Sequence, residues 1–248
     1  MGLLDTVQML LNAKDIVIKN GGVDILNYCV DYSPSMIREF SINQTNLRSK
    51  SICSNRALEI DLKFPDLSRQ QVDDFLINVM IKQMILDTDP DMGMTIQLAH
   101  TLKILLDPEN MLNNDSFNVR HLQSSRFDYH SFFSQKSEKM DFLNFFYKYC
   151  LGRLVEPLEQ VTSINGKSSQ SLTPGEEEII RKRLGVEQTT QSAQLLSIIL
   201  DLFTFCVEHH GSHIRNFILM NNILNTTIKL VASRHTFLVL GKCFHFFI

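Results

Sequence analysis

Apolar residues recur along this chain at the three- and four-residue spacing of an amphipathic helix, most clearly over residues 73–88. There Ile77, Ile81 and Ile85 form one row along the helix. So few polar residues interrupt the apolar surface that this helix is expected to pack between two layers of neighbours. Phe75, Val79 and Met80 extend the apolar surface, and Asn78, Lys82 and Gln83 interrupt it.

Four more segments have the helical period, and each predicts a helix. No segment alternates apolar and polar residues over the length of a strand, and no Asn-Gly turn joins two such runs. The chain is therefore predicted to be all-α. The additional predicted helices are residues 94–107, 138–154, 192–210 and 221–233.

Proline placement predicts where several helices begin, because four of the six prolines follow a residue that caps helix N-termini well. A Ser, Thr or Asp side chain accepts a bond from a free backbone N–H, and proline at the first helical position loses no helical bond. Glu176 lies three residues after Thr173, which is the spacing of a capping box. The four dipeptides are Ser33-Pro34, Asp89-Pro90, Asp107-Pro108 and Thr173-Pro174.

Three polar stretches, residues 41–72, 112–137 and 158–190, separate the apolar segments. Each is long for a connection in a compact domain, so we expect surface insertions or flexible segments there. Helices joined by short turns, one of them apolar on most sides, favour an armadillo- or HEAT-like α-solenoid, whose units bury their apolar faces against their neighbours. The prediction is a single helical domain over residues 1–248 with insertions at these three places.

Charge and cysteine content narrow the class of protein. The net charge of −3 excludes strong general attraction to nucleic acid or anionic lipid. The N-terminus lacks the basic and apolar regions of a signal peptide, and the longest apolar run, 195–207, is shorter than the roughly 20 residues that span a bilayer. The widely spaced cysteines, without a C-x-x-C pair, favour a reducing compartment over a disulfide framework. They are Cys29, Cys53, Cys150, Cys206 and Cys243.

Residues 205–213, FCVEHHGSH, raise the question of a metal site. On one continuous helix Cys206, His209 and His213 would lie within about 60° of arc and could bind zinc. However, Gly211 followed by serine is typical of a helix end and a new N-cap. A helix that ends there removes His213 from the row. The favoured interpretation is therefore a turn in a helical scaffold.

An acidic run offers a second candidate metal site. Asp87, Asp89 and Asp91 have the spacing of a calcium loop, but the sixth position is Met92, where an EF-hand needs glycine. Aspartates near a helix N-terminus are favoured by the helix dipole. We therefore interpret this run as an acidic turn that caps a helix beginning at Pro90.

No catalytic motif is present in the sequence. The chain has no nucleophile elbow, phosphate-binding loop or kinase motif, and NGG at 20–22 is interpreted as a turn. The aromatic residues of 141–149 have helical spacing and no basic stripe, so they are expected in the core and not stacked on bases. The sequence therefore predicts a non-catalytic protein, with no catalytic, cofactor-binding or metal-binding residue. The aromatics are Phe142, Phe145, Phe146 and Tyr147.

Several stretches are distinctive in their amino-acid sequence and in their order along the chain. They are VDYSPSMIREF (30–40), FLINVMIKQMILDTDPDMG (75–93), LLDPENML (105–112), DFLNFFYKYC (141–150), QSAQLLSIILDLFTFCVEHHGSHIRNFIL (191–219) and SRHTFLVL (233–240). Together they resemble the central domain of regulatory subunit 3 of protein phosphatase 4, the Smek/falafel family. The resemblance extends over most of residues 23–240.

That resemblance implies an armadillo-like helical domain without catalysis of its own. Members of the family help direct the phosphatase 4 catalytic subunit, together with a second regulatory subunit, to phosphorylated substrate proteins in the nucleus and cytoplasm. Neither nucleic acid nor a membrane is an expected partner. Two alternatives stay open: an unrelated armadillo-type adaptor for transport or the cytoskeleton, and a metal-dependent protein that uses Cys206 and His209.

Both ends depart from the pattern of the family. Its members begin with an EVH1-type domain, which this chain lacks, and GKCFHFFI (241–248) differs from the helix that continues in the family. We therefore expect a chain truncated at both ends. Its apolar tail and uncovered repeat faces are expected to make it marginally stable or oligomeric. No partner-binding residue is assigned from the sequence.

Overall fold

The structure, a computed structural model, describes residues 2–53, 67–112 apart from 88 and 90, 140–162, 190–221, 223 and 225. Over these residues every regular element is a helix and no strand occurs, which confirms the all-α class. No helix among them is long and apolar enough to cross a bilayer. The helices are α1 (Leu3–Leu11), α2 (Ile16–Tyr32), α3 (Pro34–Cys53), α4 (Arg69–Asp73), α5 (Leu76–Leu86), α6 (Gly93–Leu106), α7 (Pro108–Leu112), α8 (residues 140–149), α9 (Leu151–Thr162) and α10 (Thr190–Met220).

The chain divides into two compact units. Unit 1 comprises Met1–Val79 and Thr101–Phe146, and unit 2 comprises Met80–His100 and Tyr147–Ile248. Helices α5, α6 and α8 each contribute residues to both units. The prediction of one domain over residues 1–248 stays a prediction.

Several helices of unit 1 pack on one another. α1 packs on α2, α2 on α3, and α3 on α7. The successive packing of α1, α2 and α3 is the arrangement expected of stacked helical repeats, in keeping with the predicted solenoid-like fold. The buried apolar positions include Val7 and Leu11 of α1, Val23, Leu26 and Val30 of α2, and Ile37 of α3.

A glycine allows α1 and α2 to approach closely. A Cβ on Gly22 would lie 2.9 Å from the Cβ of Leu10 and 3.3 Å from the backbone nitrogen of Leu11. The segment NGG at 20–22 lies inside α2, so the turn predicted there is wrong. Gly22 allows the close packing of α1 on α2, and this packing outweighs the weak helix propensity of glycine.

Two glutamines link three helices of unit 1. Gln44 Nε2 donates to Gln8 Oε1 at 2.8 Å, and Gln44 Oε1 accepts the backbone N–H of Leu76 at 3.0 Å. Gln8 in turn donates to the backbone carbonyl of Asp74. Because the first amides of a helix have no acceptor within it, Gln44 of α3 caps the N-terminus of α5.

The C-terminal end of α6 is capped by a buried arginine. Arg38 Nε donates to the carbonyl of Leu105 at 2.9 Å, and Nη2 donates to that of Ile104 at 3.3 Å. These carbonyls belong to the last turn of α6, where the helix dipole favours a cation. Arg38 thereby fixes the position of α3 against this end of α6.

Helix α5 is buried on most sides, as predicted. All five apolar positions of α5 named in the sequence pattern are buried, and so are Phe75 just before the helix and the polar residues Asn78 and Gln83. The aromatic residues Phe142, Phe145 and Phe146 are also buried. The Phe145 ring centroid lies 5.6 Å from that of Phe75. These three phenylalanines therefore belong to the core and do not present a base-stacking surface.

Unit 2 contains α9 and the 31-residue α10, which pack on each other. Leu154 of α9 and both Leu195 and Ile199 of α10 are buried. Within α10, Gly211 has φ 36° and ψ −97°, which lies outside the helical region, so two helices meet there. The helix end predicted at Gly211 is confirmed.

The proline rule holds at two of its four sites. α3 begins at Pro34 and α7 begins at Pro108, where Asp107 Oδ1 accepts the N–H of Glu109 at 2.8 Å. The helix predicted to begin at Pro90 begins at Gly93 instead, because Met92 adopts a left-handed φ of 52°. Pro90 itself, the Thr173-Pro174 site with Glu176, most of the predicted helix at 221–233 and the tail at 241–248 lie outside the described residues.

The start predicted for the polar insertion at 41–72 is too early in the chain, because α3 extends to Cys53. Residues 41–53 continue α3, and both Ser41 and Thr45 are buried. Their hydroxyls donate to the carbonyls of Ile37 at 2.8 Å and Ile42 at 2.6 Å. Such bonds to the helix's own backbone satisfy a buried hydroxyl. The other two polar stretches lie mostly outside the described residues. In the stretch at 112–137 only Leu112, the last residue of α7, is described. In the stretch at 158–190 the described residues are the end of α9, up to Thr162, and Thr190, where α10 begins.

Candidate interaction surface

One tyrosine of α8 contacts both parts of the broken helix α10. The Tyr147 hydroxyl lies 2.9 Å from Nδ1 of His210, on the N-terminal side of the break. On the C-terminal side, the Tyr147 ring centroid lies 5.6 Å from that of His213 and 6.2 Å from that of Phe217. Tyr147 therefore holds the two parts of α10 in a fixed relation. We call Tyr147, Cys206, His210, His213 and Phe217 the Tyr147 cluster.

The cluster is partly buried: Cys206 and His210 are buried, and the other three members are half-buried. Burial raises the pKa of the Tyr147 hydroxyl above its ordinary value, and the Cys206 thiol beside it adds to the increase. The hydroxyl therefore stays protonated at neutral pH and serves as a hydrogen-bonding group. Burial also raises the pKa of the Cys150 thiol. Because the thiolate is the form that attacks substrates and binds metals, a buried protonated thiol suits neither role.

The candidate zinc ligands are not brought together as ligands. Cys206 and His210 are buried, whereas His209 is exposed and its ring packs 4.5 Å from that of Phe205. The break at Gly211 interrupts the row that the three ligands would need. Within the described ranges, no group of three His, Cys, Asp or Glu side chains is arranged to hold a metal ion. The contact of His210 with Tyr147 could not be predicted, since the two lie 63 residues apart.

The acidic run at 87–91 has an internal role. Asp87 is buried, and its Oδ2 accepts the N–H of Thr95 at 3.1 Å and the Thr95 hydroxyl at 2.9 Å. Asp87 Oδ1 accepts the N–H of Asp89 at 3.0 Å. The carboxylate thus caps the first turn of α6 and organises the turn before it. Both of its oxygens are engaged by protein donors, which is unlike a ready calcium ligand.

An accessible apolar surface lies on α2, where no site is predicted from the sequence. The residues on one face of this helix are spaced by three, four, three and four positions, a pattern that was visible in the sequence but was obscured by the expected turn at 20–22. We call Ile18, Gly21, Ile25, Tyr28 and Tyr32 the α2 seam. Its exposed fractions are 46% for Ile18, 37% for Ile25, 75% for Tyr28 and 87% for Tyr32.

Comparison with known proteins assigns the chain to a family. Residues 1–248 match the family model described as "Phosphatase 4 regulatory subunit 3". The chain belongs to this family. Membership confirms the resemblance seen in the sequence and argues against the alternative of an unrelated armadillo-type adaptor. The name of the family denotes a regulatory subunit, which is a non-catalytic role.

Two curated relatives match nearly the whole chain. "Serine/threonine-protein phosphatase 4 regulatory subunit 3" of Drosophila melanogaster is 34% identical over 241 residues, which cover 97% of this chain and 18% of that protein. "Protein PPP4R3C1" of Mus musculus is 30% identical over 241 residues, which cover 97% of this chain and 23% of that protein. The chain thus spans about a fifth of the length of these relatives. No solved structure matches it significantly.

Proposed function

We propose that this chain is a non-catalytic helical part of a phosphatase 4 complex, which binds the catalytic subunit and a second regulatory subunit and helps direct them to phosphorylated substrates. The observation that carries the proposal is the match to the family over residues 1–248. The Drosophila melanogaster relative, at 34% identity, is named a regulatory subunit of phosphatase 4.

Physical features of the described residues support a scaffold. Of the side chains that the sequence offered as metal ligands, Cys206 and Asp87 are buried, and the exposed His209 packs its ring against Phe205. By contrast, large apolar side chains of α2 face solvent. A rigid array of helices can present such anchors to a partner with little loss of conformational freedom on binding.

The location and the partner classes are part of the same proposal. A phosphatase regulator of this kind would act in the nucleus and the cytoplasm on protein substrates. A net charge of −3 supports protein partners over nucleic acid or an anionic membrane. Imaging of the tagged chain in cells tests this part, and a signal confined to a secretory compartment would contradict it.

Reconstitution tests the proposal directly. Purified chain is mixed with purified phosphatase 4 catalytic subunit and second regulatory subunit, and the mixture is separated by size-exclusion chromatography. We expect the chain to elute with both subunits. An unrelated helical-repeat protein of similar size is the negative control, and the full-length Drosophila relative is the positive control. If that relative elutes with the two subunits and the chain does not, the proposal is wrong.

A further inference from the structure

The α2 seam has the geometry of one face of a coiled coil. Residues seven apart on a helix lie nearly on one line along its axis. Ile18, Ile25 and Tyr32 form one such line, and Gly21 and Tyr28 form a second line beside it. These are the alternating core positions of a seven-residue repeat, which a partner helix can pack against.

This face is not required by the fold of unit 1. The residues of α2 that pack inside the unit lie on the other side of the helix, and the seam side chains are open to solvent. A Cβ placed on Gly21 would meet nothing within 4 Å, so the middle of the seam is open as well. Apolar and aromatic side chains in a row on an exposed helix are typical of a protein-binding surface. The packed side of α2 consists of Gly22, Val23, Leu26, Cys29 and Val30.

An acidic row borders the seam and indicates the charge of its partner. Asp24 and Asp31 are exposed, lie seven residues apart and so occupy one line next to Gly21 and Tyr28. Neither carboxylate makes an ion pair with another residue of the described part of the chain. Charges at the edge of a helical seam select partners by complementarity. A partner with Lys or Arg beside its apolar residues is therefore favoured.

A second copy of this chain fits the seam less well. Two identical helix faces paired antiparallel about a two-fold axis would place the row of Asp24 and Asp31 opposite the same row of the other copy. Like charges facing each other across an interface disfavour association. The charge pattern therefore selects a different helix.

We propose that the α2 seam is a docking site for a basic amphipathic helix of another protein, which packs its apolar residues on Ile25 and Tyr28 and sets its Lys or Arg residues against Asp24 and Asp31. The exposed tyrosine rings supply a large contact area at low cost in side-chain freedom. Open space at Gly21 accepts one side chain of the incoming helix. This inference does not require that the chain assemble with phosphatase 4.

Synthetic peptides test the proposal with the full 248-residue chain. Two fluorescent peptides of three heptads carry the same Leu core and differ only in the flanking residues, which are Lys in one and Glu in the other. Fluorescence anisotropy measures their affinities at low and at physiological ionic strength. We expect the Lys peptide to bind at least about tenfold more tightly than the Glu peptide, with the preference reduced by salt.

Substitutions then locate the binding. Ile25→Ala with Tyr28→Ala should weaken binding of the Lys peptide about tenfold or more, because it removes the apolar anchors. Leu47→Ala with Ile96→Ala truncates two exposed apolar residues outside α2, which are 69% and 54% exposed, and should leave the affinity unchanged. Circular dichroism checks that both variants keep the helix content of the parent chain.

Reversal of the two seam charges is the most discriminating experiment. Asp24→Lys with Asp31→Lys should invert the preference, so that the Glu peptide binds more tightly than the Lys peptide. Glu39→Lys with Glu208→Lys makes the same change in net charge at exposed positions outside α2 and should keep the original preference. Equal binding of both peptides, or equal loss in the two charge variants, would show general charge attraction and overturn the proposal. Sedimentation that shows a dimer abolished by Tyr28→Ala would also overturn it, because the seam would then hold a second copy.

Discussion

The α2 seam and the Tyr147 cluster use similar side chains for opposite purposes. Both place aromatic residues along a helix, but Tyr28 of the seam is 75% exposed, whereas Phe203, a neighbour of the cluster that packs beside its member Phe217, is 1% exposed. Within unit 2, the aromatic and sulfur-containing side chains contact one another. Within unit 1, the seam side chains contact solvent.

Conspicuous chemistry in a sequence is therefore a poor guide to which part of a protein is accessible. The stretch at 205–213, with its cysteine and three histidines, suggests a reactive site. In the structure it packs a helix break. The stretch at 18–32 carries no reactive residue except Cys29, which is buried, and it presents the open surface. Burial, and not residue type, decides which region can meet a partner.

Truncation of one aromatic residue in each region should give the largest contrast. Phe203→Ala is expected to lower the free energy of unfolding by about 3–5 kcal/mol, because it leaves a cavity in the interior of unit 2. Tyr28→Ala is expected to change it by less than about 0.5 kcal/mol, because the ring is already in water. Urea denaturation of both variants measures the two values. Similar losses in the two variants would mean that Tyr28 is packed against the rest of the chain.

A pair of adjacent glycines tests the close approach of α1 and α2. Gly22→Ala should destabilise the chain by about 1–2 kcal/mol, since overpacking against Leu10 exceeds the gain in helix propensity. Gly21→Ala should stabilise it by up to about 1 kcal/mol, since the added methyl group meets nothing. Thermal denaturation of the two variants side by side gives the difference. A Gly22→Ala variant as stable as the Gly21→Ala variant would contradict the close contact.

In unit 2, a second pair of glycines tests the break in α10. Gly211→Ala should cost about 1–2 kcal/mol, because its φ of 36° is a backbone conformation that alanine adopts only with strain. Gly152→Ala, in α9 with open space around it, should be neutral or stabilising by up to about 1 kcal/mol. Chemical denaturation compares them. If Gly211→Ala instead raises stability, α10 is continuous in solution and the predicted turn is absent.

Removal of one hydroxyl should give the smallest effect and one that depends on pH. Tyr147→Phe keeps the ring contacts and loses the bond to His210, so we expect a loss of about 1 kcal/mol at pH 7. The pKa of Tyr147 is raised by folding, so above about pH 10 the unfolded chain binds fewer protons than the folded chain and stability falls as pH rises. The Phe variant has no such group.

The gap in stability between the parent chain and Tyr147→Phe should therefore narrow as the pH rises above about 10. Urea denaturation at pH 7, 9 and 10.5 measures it. Cys29 and Cys150, whose pKa values are also raised by burial, are present in both proteins and contribute equally to the two curves. A constant gap over this range would indicate that the Tyr147 hydroxyl is in contact with water.

Much of the fold could be predicted, because periodicity and capping act locally. The helical pattern of 73–88 placed α5 in the core, and the proline rule placed the starts of α3 and α7. The rule failed before α6 because Asp87, and not Asp89, caps that helix, through Thr95 eight residues away. A capping side chain that lies eight residues before the backbone N–H it accepts is not recognisable from the residues next to the helix start.

The candidate surface was harder to predict, because it depends on which side of a helix is covered. Apolar residues occur on both sides of α2, so its pattern does not show which row faces solvent. The close contact at Gly22 settles the packed side, and it requires the position of α1. In the same way, the hydroxyls of Ser41 and Thr45 made a buried helix resemble a polar loop. Both errors arise from tertiary contacts that outweigh local preference.

The polar links of unit 1 have a consequence for how the chain reaches its native state. Gln8 bonds to Gln44 across 36 residues, Arg38 to Leu105 across 67, and Asn27 to Thr101 across 74. Stacked repeats usually assemble from nearest neighbours and can lose one repeat at a time. Links that close such long loops are entropically expensive to form early, so they slow folding and couple distant helices. Unit 1 should accordingly unfold in a single cooperative step, without fraying inward from α1.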